Sequence, residues 1–326
     1  MALGSRLSHN SYSTYGTMWR TFVKFCELHG HQPLPASQYT VCHYLAHLAE
    51  KGTVDLAKAQ PYLSALNAVH LDSMLPEPAK GPLITRVKNG LALLQIDLVP
   101  QPREVPVSAM AIKKLYDLAT AHPQSWSLLD LRALLSSIIL YMTGSRPVSI
   151  VSLPVDNLCW DHGSVSVIRL YTKTTQLQTQ QECVGRLPIH FTTFPALRHA
   201  LSIYAARRKI EFPAAKFFFQ LNNDGYLPAA EANGHLANIW WARAKQLGGI
   251  SPPTGFRWPP RSLRSGAASA SEAIGVPRSK TEWLGGWVSN SVALAKHYID
   301  PSMSPTVDAQ FFFDWLRTPI PITTPS

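Results

Sequence analysis

Four separated stretches of this chain carry residue types that together could act on a phosphodiester. Arg146 lies in Thr143-Gly144-Ser145-Arg146-Pro147, directly after a strongly apolar run. The glycine would end one helix and the proline would start the next, leaving the guanidinium at a helix–helix junction, free to reach a cleft. Lys173 follows the alternating, Val/Ile-rich stretch 164–171 and would sit on a hairpin, where an ammonium can enter a DNA groove and donate a proton. Arg261-Ser262-Leu263-Arg264 opens a segment of small residues running to Ser271. The i, i+3 spacing puts both arginines on one helix face, and paired guanidiniums suit the non-bridging oxygens of a phosphate. Trp283-Leu284-Gly285-Gly286-Trp287 precedes Tyr298, a hydroxyl nucleophile if suitably activated, in Lys296-His297-Tyr298-Ile299-Asp300. Taken singly, each also reads as an ordinary feature: a surface arginine beside a turn, a solvated lysine, a basic helix start, a core tyrosine.

The elements that must position these residues are mostly helical. Tyr15, Trp19, Phe22, Phe25 and Cys26 form one apolar stripe, and Ser37 can cap a second helix carrying Val41, Tyr44, Leu45 and Leu48. Pro61 suits the first turn of a third helix with Leu63, Leu66, Val69 and His70, and a fourth covers Leu83 to Leu94 with Arg86 and Lys88 exposed. The stretch 97–106 holds three prolines without periodicity and reads as an extended linker, with a domain boundary near residue 103. Beyond it, helices are expected at 108–119, 127–142, 193–210, 228–247, 261–274, 278–284 and 290–299. Two strands are expected at 164–171 and 184–190, and Phe217-Phe218-Phe219 as a buried strand or core segment. The aromatic segment 307–317 suits a last helix, packed either on its own domain or on a neighbouring protomer, and 319–326 a flexible tail.

Composition narrows the function. The 326 residues carry a formal charge of +10, with 46% hydrophobic residues, as expected of a folded protein. Residues 1–105 hold nine Lys/Arg against seven Asp/Glu, whereas the remainder holds 21 against 13. A basic excess in the larger part suits a polyanion such as nucleic acid. No apolar run is long enough to span a bilayer and the first residues lack a secretory pattern, so a soluble intracellular protein is expected. Cys26, Cys42, Cys159 and Cys183 contain no CxxC pair. Cys26, His29, His31, Cys42 and His43 cluster loosely, but their spacing matches no standard zinc site, so buried core thiols and no metal are expected.

The order and approximate spacing of Arg146, Lys173, Arg264, Trp287 and Tyr298 resemble the tyrosine recombinase (phage integrase) family. Thr-Gly-Ser-Arg is similar to its first-arginine turn, Tyr-Thr-Lys-Thr to its lysine hairpin, and Arg-Ser-Leu-Arg stands where it has His-x-x-Arg. Gly-Gly-Trp resembles the variant with tryptophan where most members have histidine. The likeness covers about residues 130–300. Ser-Leu-Arg-Ser-Gly-Ala-Ala and His-Tyr-Ile-Asp-Pro look most like recombinases of eukaryotic mobile elements of the DIRS type.

That resemblance implies a mainly α fold with a small β-sheet (α+β): a helical core-binding domain over 1–103 and a catalytic domain over 104–318. It implies DNA recombination or integration, such as transposition of a mobile element, through a 3′-phosphotyrosine on Tyr298. Arg146 and Arg264 would bind the non-bridging oxygens, Lys173 would act as general acid, and Trp287 would donate its indole N–H. No cofactor is implied. Arg261 takes the histidine position, where it can bind phosphate but cannot serve as a base. Ser149 stands where many members carry an acid, and the Trp287–Tyr298 interval is about two residues longer than usual. The implied partner is double-stranded DNA clamped between the two domains, with Arg20, Lys24, Arg86 and Lys88 as N-terminal phosphate contacts and a homotetramer on two duplexes. The implied location is the nucleus in a eukaryote, otherwise the cytoplasm with its DNA. An inactive DNA-binding relative, a type IB topoisomerase and a basic protein that binds no DNA remain alternatives.

Overall fold

A computed structural model describes residues 9–52, 54–56, 59–95, 102–151, 153, 158–161, 164–167, 188–190, 194–211, 218, 221–222, 225–226, 234–287 and 289–317. The chain divides into two compact units, Met1–Gln101 and Pro102–Ser326.

The first unit is built from α1 (His9–His29), α2 (Gln38–Lys51), α3 (Gln60–Asp72) and α4 (Pro82–Gln95). Ser37 caps α2 by accepting from the Thr40 N–H, and Pro61 occupies the first turn of α3, where its missing N–H costs nothing. The expected stripes close one core: Phe22, Phe25 and Cys26 meet Val41, Tyr44 and Leu45 of α2 and Leu63 and Leu66 of α3. Burial, with a smaller contribution from Glu27, pushes the Cys26 thiol up to about 11, as suits an inert core thiol. Among the described residues no three His, Cys, Asp or Glu groups come together as a metal site.

In the second unit β1 (Arg103–Glu104) leads to α5 (Ala109–Ala121) and α6 (Leu128–Met142), capped by Ser108 and Ser127. Helix α6 is buried on all sides from Leu131 to Met142 and packs against α5 and the helices that follow. A continuous apolar run reads as such a central helix because no face has to meet water. Next come α7 (Pro147–Val151), β2 (Leu158–Asp161), β3 (Ser164–Val167), β4 (Pro188–His190), α8 (Pro195–Glu211), β5 (Leu221–Asn222) and β6 (Gly225–Tyr226). The chain ends through α9 (Gly234–Gly248), β7 (Phe256–Arg257), α10 (Arg261–Ala273), α11 (Arg278–Gly285), α12 (Val292–His297) and α13 (Val307–Phe313).

The chain is thus mainly helical with small sheets, as expected. Three details differ from the sequence reading. The antiparallel sheet has a third strand, β2, beside β3, in the order β2-β3-β4. Residues 103–104, placed in the linker, form a strand parallel to β7, because the extended backbone finds hydrogen-bond partners there. The segment 307–317 closes on its own unit: Phe312, Phe313 and Leu316 are buried in the second core, and Phe311 and Phe312 pack edge-on against Tyr116. Docking of those buried rings on a neighbour is therefore corrected. No described helix is long and apolar enough to cross a membrane.

Candidate active site

The site is assembled where α6, α10 and α11 meet. Helix α6 stops at Met142, and Gly144 turns the chain with φ +52°, a left-handed conformation that favours glycine. The turn sends Arg146 to the start of α7, half-buried, with no hydrogen bond or ion pair from its guanidinium to a described residue.

Arg264 lies one turn into α10 and is only 2% exposed. Burying a guanidinium costs free energy unless its donors are met. Its Nη1 donates to the Gly144 carbonyl and, at 2.7 Å, to that of Gly285. The same arginine therefore ties the α6–α7 turn to the end of α11. Its guanidinium carbon stands 3.6 Å from the centre of the Trp287 ring and 5.2 Å from that of Tyr298. The two rings meet edge to face at 5.2 Å. Arg264, Trp287 and Tyr298 are thus brought into one stack, with Arg146 two residues beyond a carbonyl that Arg264 holds.

Trp287 leaves α11 with its N–H on the Glu282 carbonyl and lays its ring on Gly285. A Cβ on Gly285 would lie 1.6 Å from that ring, so only glycine fits while the stack is intact. The loop to α12 is held by Glu282, a buried carboxylate that accepts from the Asn290 and Ser291 N–H groups at 3.1 and 2.8 Å. Arg278 adds a bond to the Ser291 carbonyl. Tyr298 is the half-buried residue ending α12. Ser269, on α10, donates to the Tyr298 carbonyl at 3.1 Å and accepts from the Asp300 N–H at 2.8 Å.

Other expected residues fall elsewhere. Arg261, at the first position of α10, is exposed, and its side chain is bound by the Glu104 carboxylate instead of joining the Arg264 stack. Placing it beside Arg264 at one anion is a sequence expectation that this contact does not support. Lys173 lies outside the described residues. Arg20 and Lys24 are exposed on α1, whereas on α4 Arg86 is exposed but Lys88 is half-buried. Glu104, Ser269 and Glu282 were not read from the sequence as part of the site. Only Glu282 carries a local signal, as the acid four residues after Arg278.

No known protein-family profile matches this chain, and no curated protein sequence does. Solved structures do. The Tn1549 transposon integrase in complex with circular intermediate DNA is similar with a TM-score of 0.58 at 15% identity, over 94% of this chain and 93% of that one. A lambda integrase(75-356) dimer bound to a COC′ core site gives 0.54 at 15% identity, over 93% and 94%. A lambda integrase tetramer bound to a Holliday junction gives 0.53 at 14% identity, over 91% and 74%. At such identities the likeness is one of fold, and the fold is that of tyrosine recombinases and integrases.

Proposed function

We propose that this chain is a tyrosine recombinase that cuts and rejoins duplex DNA through Tyr298. The carrying observation is the stack of Arg264, Trp287 and Tyr298 beside the turn to Arg146, in a chain with this fold. Tyr298 Oη, its phenolic proton passing to water, attacks the phosphorus of a backbone phosphodiester while the bond to the 5′-oxygen breaks. The products are a 3′-phosphotyrosine and a free 5′-hydroxyl. Lys173 supplies the proton taken up by the departing 5′-oxygen. Arg146 and Arg264 stabilise the charge that grows on the non-bridging oxygens. Because the phosphotyrosine conserves the phosphodiester bond, attack by another 5′-hydroxyl reverses the step and rejoins the strand without ATP. Since Arg264 is almost fully covered, the phosphate reaches it as the Trp287 and Tyr298 rings shift.

By analogy with the tetrameric lambda integrase complex, four copies act on two duplexes. The first unit contributes phosphate contacts through Arg20, Lys24, Arg86 and Lys88. The phrases around Ser262 and Tyr298 favour a recombinase of a eukaryotic mobile element, acting in the nucleus.

A suicide duplex nicked beside the cleavage site tests this reading, because it traps the covalent intermediate. The wild-type chain is expected to form a denaturation-resistant protein–DNA adduct, and Tyr298→Phe none. An adduct that survives Tyr298→Phe removes Tyr298 as nucleophile. A second reading, a DNA-binding relative without cleavage activity, is favoured by the engagement of Arg261 with Glu104. It predicts salt-sensitive duplex binding with no adduct from the wild-type chain.

A further inference from the structure

Arg257 and Arg261 flank the start of the helix that carries Arg264, and both are held by one carboxylate. Glu104 accepts from Arg257 Nη2 at 2.8 Å and from Nε and Nη2 of Arg261. This acid lies within the proline-bearing stretch 97–106, between Pro102 and Pro106. The strand it lies on is fixed to the arginine helix: Val105 N–H donates to the Arg257 carbonyl and Val107 N–H to that of Ser262. Gly266 of α10 comes so close to this lane that a Cβ there would lie 2.3 Å from the Val107 carbonyl. The backbone thus keeps Glu104 beside the two arginines, whose side chains are 42% and 65% exposed.

We propose that Arg257 and Arg261 form a second backbone-phosphate site, and that Glu104 is a tethered anion occupying it, which a DNA phosphate must displace. Guanidinium forks bind carboxylate and phosphate oxygens with the same geometry, so the two anions compete for the same donors. The arginines stay open to water, where ion pairs hold weakly, so a phosphate can open this latch. Two arginines and one glutamate leave one net positive charge. The site therefore engages weakly with DNA unless the duplex is seated well enough to drive the exchange. Glu104 acts through the arginines, as a positioning residue. The inference rests on the reading that the chain binds DNA.

The test measures duplex affinity of the full chain between 50 and 200 mM salt for wild type, Glu104→Gln, Arg261→Ala and the double variant, each checked for an unchanged melting temperature. Glu104→Gln is expected to bind more tightly and to steepen the slope of log affinity against log salt by about one, the release due to one added net charge. Arg261→Ala should weaken binding less in the wild-type background than in Glu104→Gln, where the arginine is open to phosphate. Equal losses in both backgrounds, or an unchanged slope in Glu104→Gln, overturn the competition while leaving DNA binding intact. No salt-sensitive binding by the wild-type chain removes the DNA reading itself, and this inference with it.

Discussion

At the residue scale the site turns on Arg264. A guanidinium 2% exposed has traded water for two main-chain carbonyls and the face of Trp287. Planarity makes both possible at once: edge N–H groups bond in the plane while the π face stacks. Lysine keeps the charge but is a compact ammonium that cannot serve the carbonyls and lie flat under the indole together. Arg264→Lys should therefore slow adduct formation on the suicide duplex by about 10²–10³-fold, the usual loss when one preorganised donor to a developing oxyanion is removed. A variant within about threefold of wild type would deny Arg264 its place at the phosphate. The i, i+3 pair of arginines at the head of a small-residue helix was legible in the sequence. Which of the two arginines is buried was not, because that depends on Glu104, 157 residues before Arg261.

At the element scale, helix ends do the positioning. Gly144 and Gly285 bring the α6–α7 turn and the end of α11 close enough for one Nη1 to hold both carbonyls. The Ser269 bridge fixes the end of α12 to α10, the helix of Arg264. Gly285→Ala should expel the Trp287 ring, since the new methyl would overlap it. An overpacked site of this kind costs about 1–3 kcal/mol. The expected outcome is a lower melting temperature of the second unit together with loss of adduct at unchanged duplex affinity. Full activity in Gly285→Ala would show that the ring need not rest on α11. Elements with a local signature were readable: Ser37 caps α2 as its position announced, and α5 and α6 start within a residue of the expected 108 and 127, where Ser108 and Ser127 prove to be their caps. Strand β2 was not, because Leu158-Cys159-Trp160-Asp161 is too short to establish a period of two. The β1–β7 pair joins two-residue strands far apart in the chain, and no window of neighbouring residues carries that signal.

At the scale of the whole molecule the two units differ in what they titrate. Helices α1 and α2 of the first, with the loop between them, gather four imidazoles around Phe25: His31 Nε2 and His43 Nδ1 share a hydrogen bond of 2.8 Å, and His29 Nε2 and His47 Nδ1 one of 3.3 Å. Desolvation, followed by the charges of Lys51, His29 and His43 and opposed by Glu50, lowers the His47 pKa. The unfolded chain then binds this proton more readily than the folded one. The stabilisation is complete above the ordinary histidine value of about 6.5 and is lost as pH falls through the lower folded value. The second unit's Asp130, lowered chiefly by its hydrogen bond from Arg243, titrates below this window, so its contribution persists there. Amide exchange in α2, corrected for intrinsic rates, should therefore show less protection at pH 5.5 than at pH 7.5, with α6 changing less. The carboxamide variant His47→Gln, which carries no titrating imidazole, should flatten the α2 difference. Equal loss of protection in α2 and α6, or a pH response unchanged in His47→Gln, would mean that the histidine network does not set the first unit's stability. A pH-sensitive first unit would also make duplex affinity fall on acidification wherever Arg20 and Lys24 on α1 contribute to it, which offsets the gain expected from added positive charge on His47.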